Sequence, residues 1–228
     1  SYLTGLRTAA VSTVAARSCA RPNPEVLALA GCGFQGTMHL WFLTAEIPTL
    51  KQVRLLDVRQ EAVAALRAKA SEYFGGEIVE CRSNEELVRG ADIVSTCTFG
   101  DKPTVDNECF GEGVFGVGIE GGCGFTAEAL HGADKFLVDD VPLAKYFEEL
   151  GKDWVTPEGE PAPMFPGGLP DVYATIGEVL AGKKPARDSD RERIVATPIG
   201  MGICDIALTK VICERAAAKG VGQKVALM

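Results

Sequence analysis

The residues best placed to do chemistry gather first around a turn of three glycines. Gly31, Gly33 and Gly36 stand in the order Gly-Cys-Gly-Phe-Gln-Gly, directly after the apolar run 26–30. A strand that ends on such a turn and continues into a helix can cradle a pyrophosphate. The first glycine permits the tight turn, the second lets the phosphates approach the backbone, and the third lets helix pack closely on strand. Phe34 and Gln35 complete the turn, and the helix that follows offers the phosphates free N–H groups and a partial positive charge. Asp57 closes the next apolar run, 21 residues after Gly36, where a carboxylate accepts hydrogen bonds from an adenosine ribose. Its charge repels a 2′-phosphate, which predicts NAD rather than NADP; Arg59 tempers that preference. In a chain with 26 glycines the turn alone would be unremarkable. Strand, helix and acid together point to a dinucleotide site.

The nicotinamide end of such a ligand lies outside the carboxyl ends of strands across the switch point. That places it against Thr96, Cys97 and Thr98, and against Val117 and Gly118, where small side chains leave room for a ring. No metal site is expected. The eight cysteines are irregularly spaced, form no Cys-x-x-Cys pair, and share no ligand spacing with His39 or His131. Several fall inside apolar runs, as reduced thiols acting as small hydrophobes do. Asp139-Asp140 precedes Pro142 and an apolar-periodic stretch, so helix capping outweighs a magnesium-ligand role.

These residues need a scaffold, and the pattern predicts one. Helices are expected over 4–20, 37–45, 61–74, 126–130, 142–150, 171–181 and 202–219, with a short one opened by a capping box at Ser83 to Glu86. Continuous apolar strands are expected over 26–30, 53–56, 78–81, 93–98, 114–119, 135–138 and 193–197. Strands that alternate with helices and lack period-two polarity form a parallel sheet covered on both faces. The predicted fold is α/β, a doubly wound Rossmann-type domain. The proline- and glycine-rich stretch 156–170 is a loop or lid.

At 228 residues with 46% hydrophobic content the chain can bury a core without staples. Its 23 basic and 31 acidic side chains give a net charge of −8, which disfavours nucleic acid and anionic membrane surfaces. No run approaches the length of a membrane-spanning helix and no secretion signal opens the chain. A soluble, cytoplasmic protein is expected. The chain opens without Met, in what looks like the interior of a structured segment, so a fragment is expected too.

The helix Leu3-Thr4-Gly5-Leu6-Arg7-Thr8-Ala9-Ala10 ahead of the glycine-turn strand resembles the ornithine cyclodeaminase and mu-crystallin family. So do Gly177 to Pro185, Arg187, Ser189-Asp190, Gly200-Met201-Gly202-Ile203-Cys204-Asp205 and Gly220-Val221-Gly222, and the likeness covers essentially the whole chain. It implies an NAD-dependent enzyme, a homodimer, acting on a small L-amino acid by hydride transfer at the α-carbon through an imine. Cyclodeamination is the leading activity. Segments 1–20 and 198–228 would belong to a substrate and dimer domain around a dinucleotide-binding domain, 21–197. The family's substrate lysine and a further arginine would lie ahead of Ser1.

By this resemblance Arg7 holds the substrate carboxylate, Glu120 occupies the position of the catalytic aspartate, and Asp205 stands near nicotinamide and substrate. By residue type alone, Arg7 is a solvated helix arginine and Glu120 a solvated loop carboxylate. Asp205 is explained equally by the dipole of the helix it opens. The sequence departs from the family in having glutamate at 120, one methylene longer, and Gly121-Gly122-Cys123-Gly124 after it instead of Pro-Gly-Lys. That segment and 198–202 are also similar to the opine-forming branch. An amino-acid or opine-type dehydrogenase, and a non-catalytic mu-crystallin-like binder, therefore stand as alternatives.

Overall fold

The computed structural model describes residues 1–98, 102–156, 159 and 161–223. Its elements are α1 (Tyr2–Cys19), β1 (Val26–Ala30), α2 (Phe34–Glu46), β2 (Gln52–Leu56), α3 (Gln60–Ala70), β3 (Glu77–Glu80), α4 (Asn84–Val88) and β4 (Ile93–Thr96). There follow β5 (Phe115–Gly118), α5 (Ala127–His131), β6 (Lys135–Val138), α6 (Val141–Gly151), β7 (Ala174–Thr175), α7 (Ile176–Leu180), β8 (Ile194–Thr197) and α8 (Gly202–Ala218).

Among the described residues eight strands form one sheet in the order β3-β2-β1-β4-β5-β8-β6-β7, every pairing parallel. The strand order reverses between β1 and β4, which is where a doubly wound sheet opens a crevice at its carboxyl edge. β1, β4, β5, β6 and β8 are buried nearly throughout, as apolar strands covered on both faces must be. One core layer packs Leu27, Leu29, Phe115 and Val117 against α1, α2 and α3; the other packs Ala28, Val94 and Val138 with Phe110, Phe125 and Phe165. The doubly wound α/β expectation is met.

Local chemistry explains where the elements begin. Asp140 caps α6 by accepting the Leu143 N–H at 2.7 Å, with Pro142 in the first turn. Asp139 does otherwise: its carboxylate accepts the N–H groups of Ile199 (3.1 Å) and Gly200 (2.6 Å), tying β6 to the loop that enters α8. No group of side chains able to hold a metal ion occurs among the described residues. Ser83 caps α4 by accepting the Glu86 N–H, but the Glu86 carboxylate accepts the Arg82 N–H, one residue beyond the Ser83 N–H of the reciprocal box expected. The helix expected over 171–181 is five residues long. Thr175 and Glu178 cap each other there, and Ala174–Thr175 pair with β6 instead. Pro157, Glu158 and Glu160 of the expected loop, and 224–228 of the expected C-terminal segment, lie outside the described residues.

α1 runs along α2 and touches α8. Its inner face carries Ala9, Ala15, Ala16 and Cys19, all buried. α8 has no buried residue, and Ile203 and Ile206 are about 70% exposed. No described helix is long and apolar enough to cross a membrane.

Candidate active site

The glycine turn is built as its spacing demands. Gly31 adopts φ +89°, and a Cβ there would collide with the carbonyl of Cys97. A Cβ on Gly36 would occupy the position of the Gly31 carbonyl oxygen, so helix and turn meet with no room for a side chain. At Gly33 the nearest atom to an added Cβ is Arg59 Nη2 at 3.9 Å. That position is the N-cap of α2, without a capping side chain, and the first-turn N–H groups beside Phe34 and Gln35 face open space.

Asp57 follows β2 and is nearly buried. Its Oδ2 accepts the Cys32 N–H at 2.7 Å and its Oδ1 the Arg59 N–H at 2.9 Å, so the acid also pins the turn. The Arg59 guanidinium returns to it at 3.5 Å. Around them a cleft of about 510 Å³ is lined by Gly31, Gly33, Asp57, Arg59, Asn84 and Lys102, among others.

A second cleft, about 750 Å³, adjoins it, sharing Gly33, Cys97 and Thr98. Phe34, Gln35, Ile119, Glu120, Cys123, Trp154, Met164 and Ile199 contribute to its wall. The pair of clefts runs across the carboxyl ends of β1, β4 and β5, over the switch point. Trp154, Val155, Thr156, Ala162 and Met164 form one side. Val155 bridges Pro161, Ala162 N–H reaches the Trp154 carbonyl at 2.8 Å, and Gly122 N–H reaches the Met164 carbonyl at 2.7 Å.

Glu120 is the only acidic side chain among the described lining residues of this cleft. Its Oε1 accepts the Thr98 hydroxyl at 3.0 Å, while its Oε2 is buried with no hydrogen-bond partner. Burial raises its pKa above the ordinary carboxylate value, an effect partly offset by the hydroxyls of Thr96 and Thr98 and by backbone N–H groups. A carboxyl that is partly desolvated and has one bare oxygen is suited to exchange a proton with a bound ligand.

Not every expected residue reaches the cleft. Thr96, Val117 and Gly118 are buried beneath it. Val117 turns into the layer under α1 and α2, and Gly118 is hemmed in by the Gly121 carbonyl and the Thr96 hydroxyl. The actual surface is formed by Cys97, Thr98 and Ile119, which lie just beyond the ends of β4 and β5. Arg7 and Asp205 are not among the lining residues of either cleft; they face each other, Nε to Oδ1 at 3.4 Å. Trp154, Met164, Ile199 and Lys102 carried no sequence signal beyond their places in loops. The cysteines whose shift is resolved, Cys97 and Cys123 included, have thiol pKa values raised by burial, in keeping with unreactive thiols.

The model of the ornithine cyclodeaminase/mu-crystallin family matches residues 1–220. The chain belongs to this family. A relative from the family, the alanine dehydrogenase of Archaeoglobus fulgidus, is 34% identical over 98% of the chain and 67% of that protein. A Delta(1)-pyrroline-2-carboxylate reductase of Bacillus cereus is 30% identical over 99% of the chain and 68% of that protein. Among solved structures, an archaeal alanine dehydrogenase dimer with bound NAD superposes with a TM-score of 0.82 at 32% identity, covering 100% of the chain and 68% of its own. The chain thus spans about two thirds of the length of these relatives.

Proposed function

We propose that this ornithine cyclodeaminase/mu-crystallin family chain carries the NAD-binding part of an enzyme that moves hydride between nicotinamide and the α-carbon of a small L-amino or imino acid. The observation that carries the proposal is Glu120, which lines a cleft continuous with the glycine turn and has one buried carboxylate oxygen without a partner. The residues fit a dinucleotide: the Gly31, Gly33 and Gly36 cradle would be filled or strained by side chains, and Asp57 stands at the ribose end. The archaeal alanine dehydrogenase structure with bound NAD lends support.

NAD would supply hydride acceptance and return. The chain's own groups do the rest. The first turn of α2 binds phosphate, Asp57 holds the ribose, and the apolar wall of Trp154, Met164 and Ile199 limits water near the reacting carbon. Glu120 takes the proton from the amine or water that adds to the imine carbon, and gives it back in the reverse direction. Net oxidation or imine reduction is the favoured activity. A diamine such as ornithine needs a counter-charge for its side-chain ammonium, and the described lining offers one carboxylate, already assigned to proton transfer. As in the resemblance, Arg7 and Asp205 would serve the substrate from the α1 and α8 side.

The test is incubation with NAD and a panel of L-amino acids including alanine, proline and ornithine, following reduced nicotinamide by absorbance and products by chromatography. Net NADH with an oxo acid or cyclic imine is expected. Proline and ammonia from ornithine without net NADH would establish cyclodeamination instead. Cofactor binding without turnover of any substrate would make the chain a binder.

A further inference from the structure

We propose that Thr98 is the positioning residue for Glu120: its hydroxyl holds one carboxylate oxygen and leaves the other, buried at the cleft wall, without a partner. The inference rests on Glu120 being the proton-transfer group proposed above. Thr98 follows β4 and Glu120 follows β5, neighbouring strands in register from Ile93–Phe115 to Thr96–Gly118, so the sheet itself fixes their separation. Thr98 Oγ1 donates to Glu120 Oε1 at 3.0 Å, and Oε2 has no partner.

The segment after Glu120 keeps the carboxylate on the threonine side. A Cβ on Gly124 would collide with Thr96 Oγ1 and lie 2.6 Å from Glu120 Oε1 and 2.8 Å from Thr96 Cβ, so any larger residue would displace the carboxylate or the Thr96 side chain. Glycine there is the physical complement of a glutamate one methylene longer than aspartate. The Cys123 thiol donates to the Glu120 carbonyl at 2.7 Å and holds the backbone of the same turn.

Among the described residues, the titratable groups facing Glu120 are the thiols of Cys97, from the β4 end, and Cys123, from its own loop; both have pKa values raised by burial and by the carboxylate. Among the described residues no cation shifts Glu120, whose carboxylate is stabilised by the hydroxyls of Thr96 and Thr98 and by backbone N–H groups. Removing the Thr98 hydroxyl therefore raises the carboxyl pKa further. The rival role for that hydroxyl is contact with the cofactor, since Thr98 lines both clefts.

The test is a carbon NMR titration of the full chain labelled at the glutamate carboxyl carbon, in the wild type, Thr98→Val, Thr98→Ser and Glu120→Gln. The signal missing from Glu120→Gln should titrate above the other glutamates in the wild type. It should move up by about one pH unit in Thr98→Val, a tenfold change in ionisation, and return in Thr98→Ser. Any loss of NADH affinity in Thr98→Val, read by fluorescence quenching, should stay below about tenfold. An unmoved titration in Thr98→Val overturns the proposal. So does a loss of NADH affinity of about tenfold or more in Thr98→Val that Thr98→Ser restores, because the hydroxyl then serves the cofactor. Should Thr98→Val give no cooperative melt, Thr98→Ala is read by the same criteria. Full turnover by Glu120→Gln would sink the catalytic role while leaving the titration result standing, so the two failures are distinguishable.

Discussion

The guanidinium of Arg7 faces the carboxylate of Asp205, Nε to Oδ1 at 3.4 Å, and so joins α1 to α8. Arg7 also lies flat against Gly200, where a Cβ would come within 2.6 Å of Nη1, and Asp139 holds that glycine's N–H. The pair is partly exposed, with side chains 20% and 36% accessible, so as a structural contact it contributes little. Asp205→Ala should cost no more than about 1 kcal/mol in a denaturant melt. Arg7→Lys separates the roles. Lysine keeps the charge opposite Asp205 but loses the fork that grips a carboxylate. Substrate KM should rise about tenfold or more, with NADH affinity unchanged. An unchanged KM would leave Arg7 as a helix-to-helix contact only.

Asp57 serves two masters, ribose and turn, because its Oδ2 already accepts the Cys32 N–H. Asp57→Ala removes a charged acceptor from a nearly buried backbone donor, a loss of about 1.5–3 kcal/mol. Fluorescence titration should show NADH binding weakened about tenfold or more. NADPH should lose less, because the carboxylate that repels a 2′-phosphate has gone while Arg59 and Lys102 still line the cleft. Equal losses for both cofactors would mean that the acid acts only through the turn.

What the sequence made legible follows from how local each signal is. The glycine turn is local: Gly31, Gly33, Gly36 and Asp57 are fixed by chain geometry over one β-α-β unit, and the structure arranges them as that unit requires. The strands were legible because burial on both faces demands unbroken apolar runs. The insertion of β8 between β5 and β6 was not, since all three strands are short and apolar and nothing local chooses a neighbour. Arg7 opposite Asp205 joins residues nearly the whole chain apart, and neither carries a mark of the other. The walls of the second cleft failed for the same reason. Trp154 and Met164 sit in a proline-rich loop whose docking depends on the Gly122 N–H meeting the Met164 carbonyl. Which residues face the cleft is decided by where each strand ends: Thr98 and Ile119 lie past the last residues of β4 and β5 and line it, while Thr96 and Val117 are enclosed within the sheet.

Gly36 is the sharpest steric test of the turn. An added Cβ would overlap the Gly31 carbonyl, which is backbone and cannot swing aside. Gly36→Ala should destabilise the chain by about 3 kcal/mol, the upper range for overpacking, and should abolish NADH binding even where the protein still melts cooperatively. Gly33→Ala is the control, since open space surrounds that position. It should melt like the wild type yet bind NADH more weakly, because the methyl would intrude where phosphates approach. Equal stability of Gly36→Ala and wild type would mean that turn and helix can separate.

His39 sets the acid limit of stability. Its Nδ1 lies 2.8 Å from the Gln35 carbonyl, which can only accept, so Nδ1 carries the proton and Nε2 accepts the Ser12 hydroxyl at 2.9 Å. The imidazole is fully buried between α1 and α2. Burial pushes its pKa down to about 4, with the Gln35 carbonyl opposing. An unfolded histidine titrates near 6.5. Between those values the unfolded chain holds the extra proton, so stability is full above about pH 6.5 and falls as pH drops toward 4. The group contributes about 3 kcal/mol over that window. Glu120 slopes the other way: its raised pKa keeps the folded carboxyl protonated longer, so its share is lost as pH rises through the folded value. The His39 effect is therefore isolated by difference, from urea melts of the wild type and His39→Gln between pH 4.5 and 8. The mutant's stability should vary less over the acid half of that range, and parallel curves would assign the acid sensitivity to other groups.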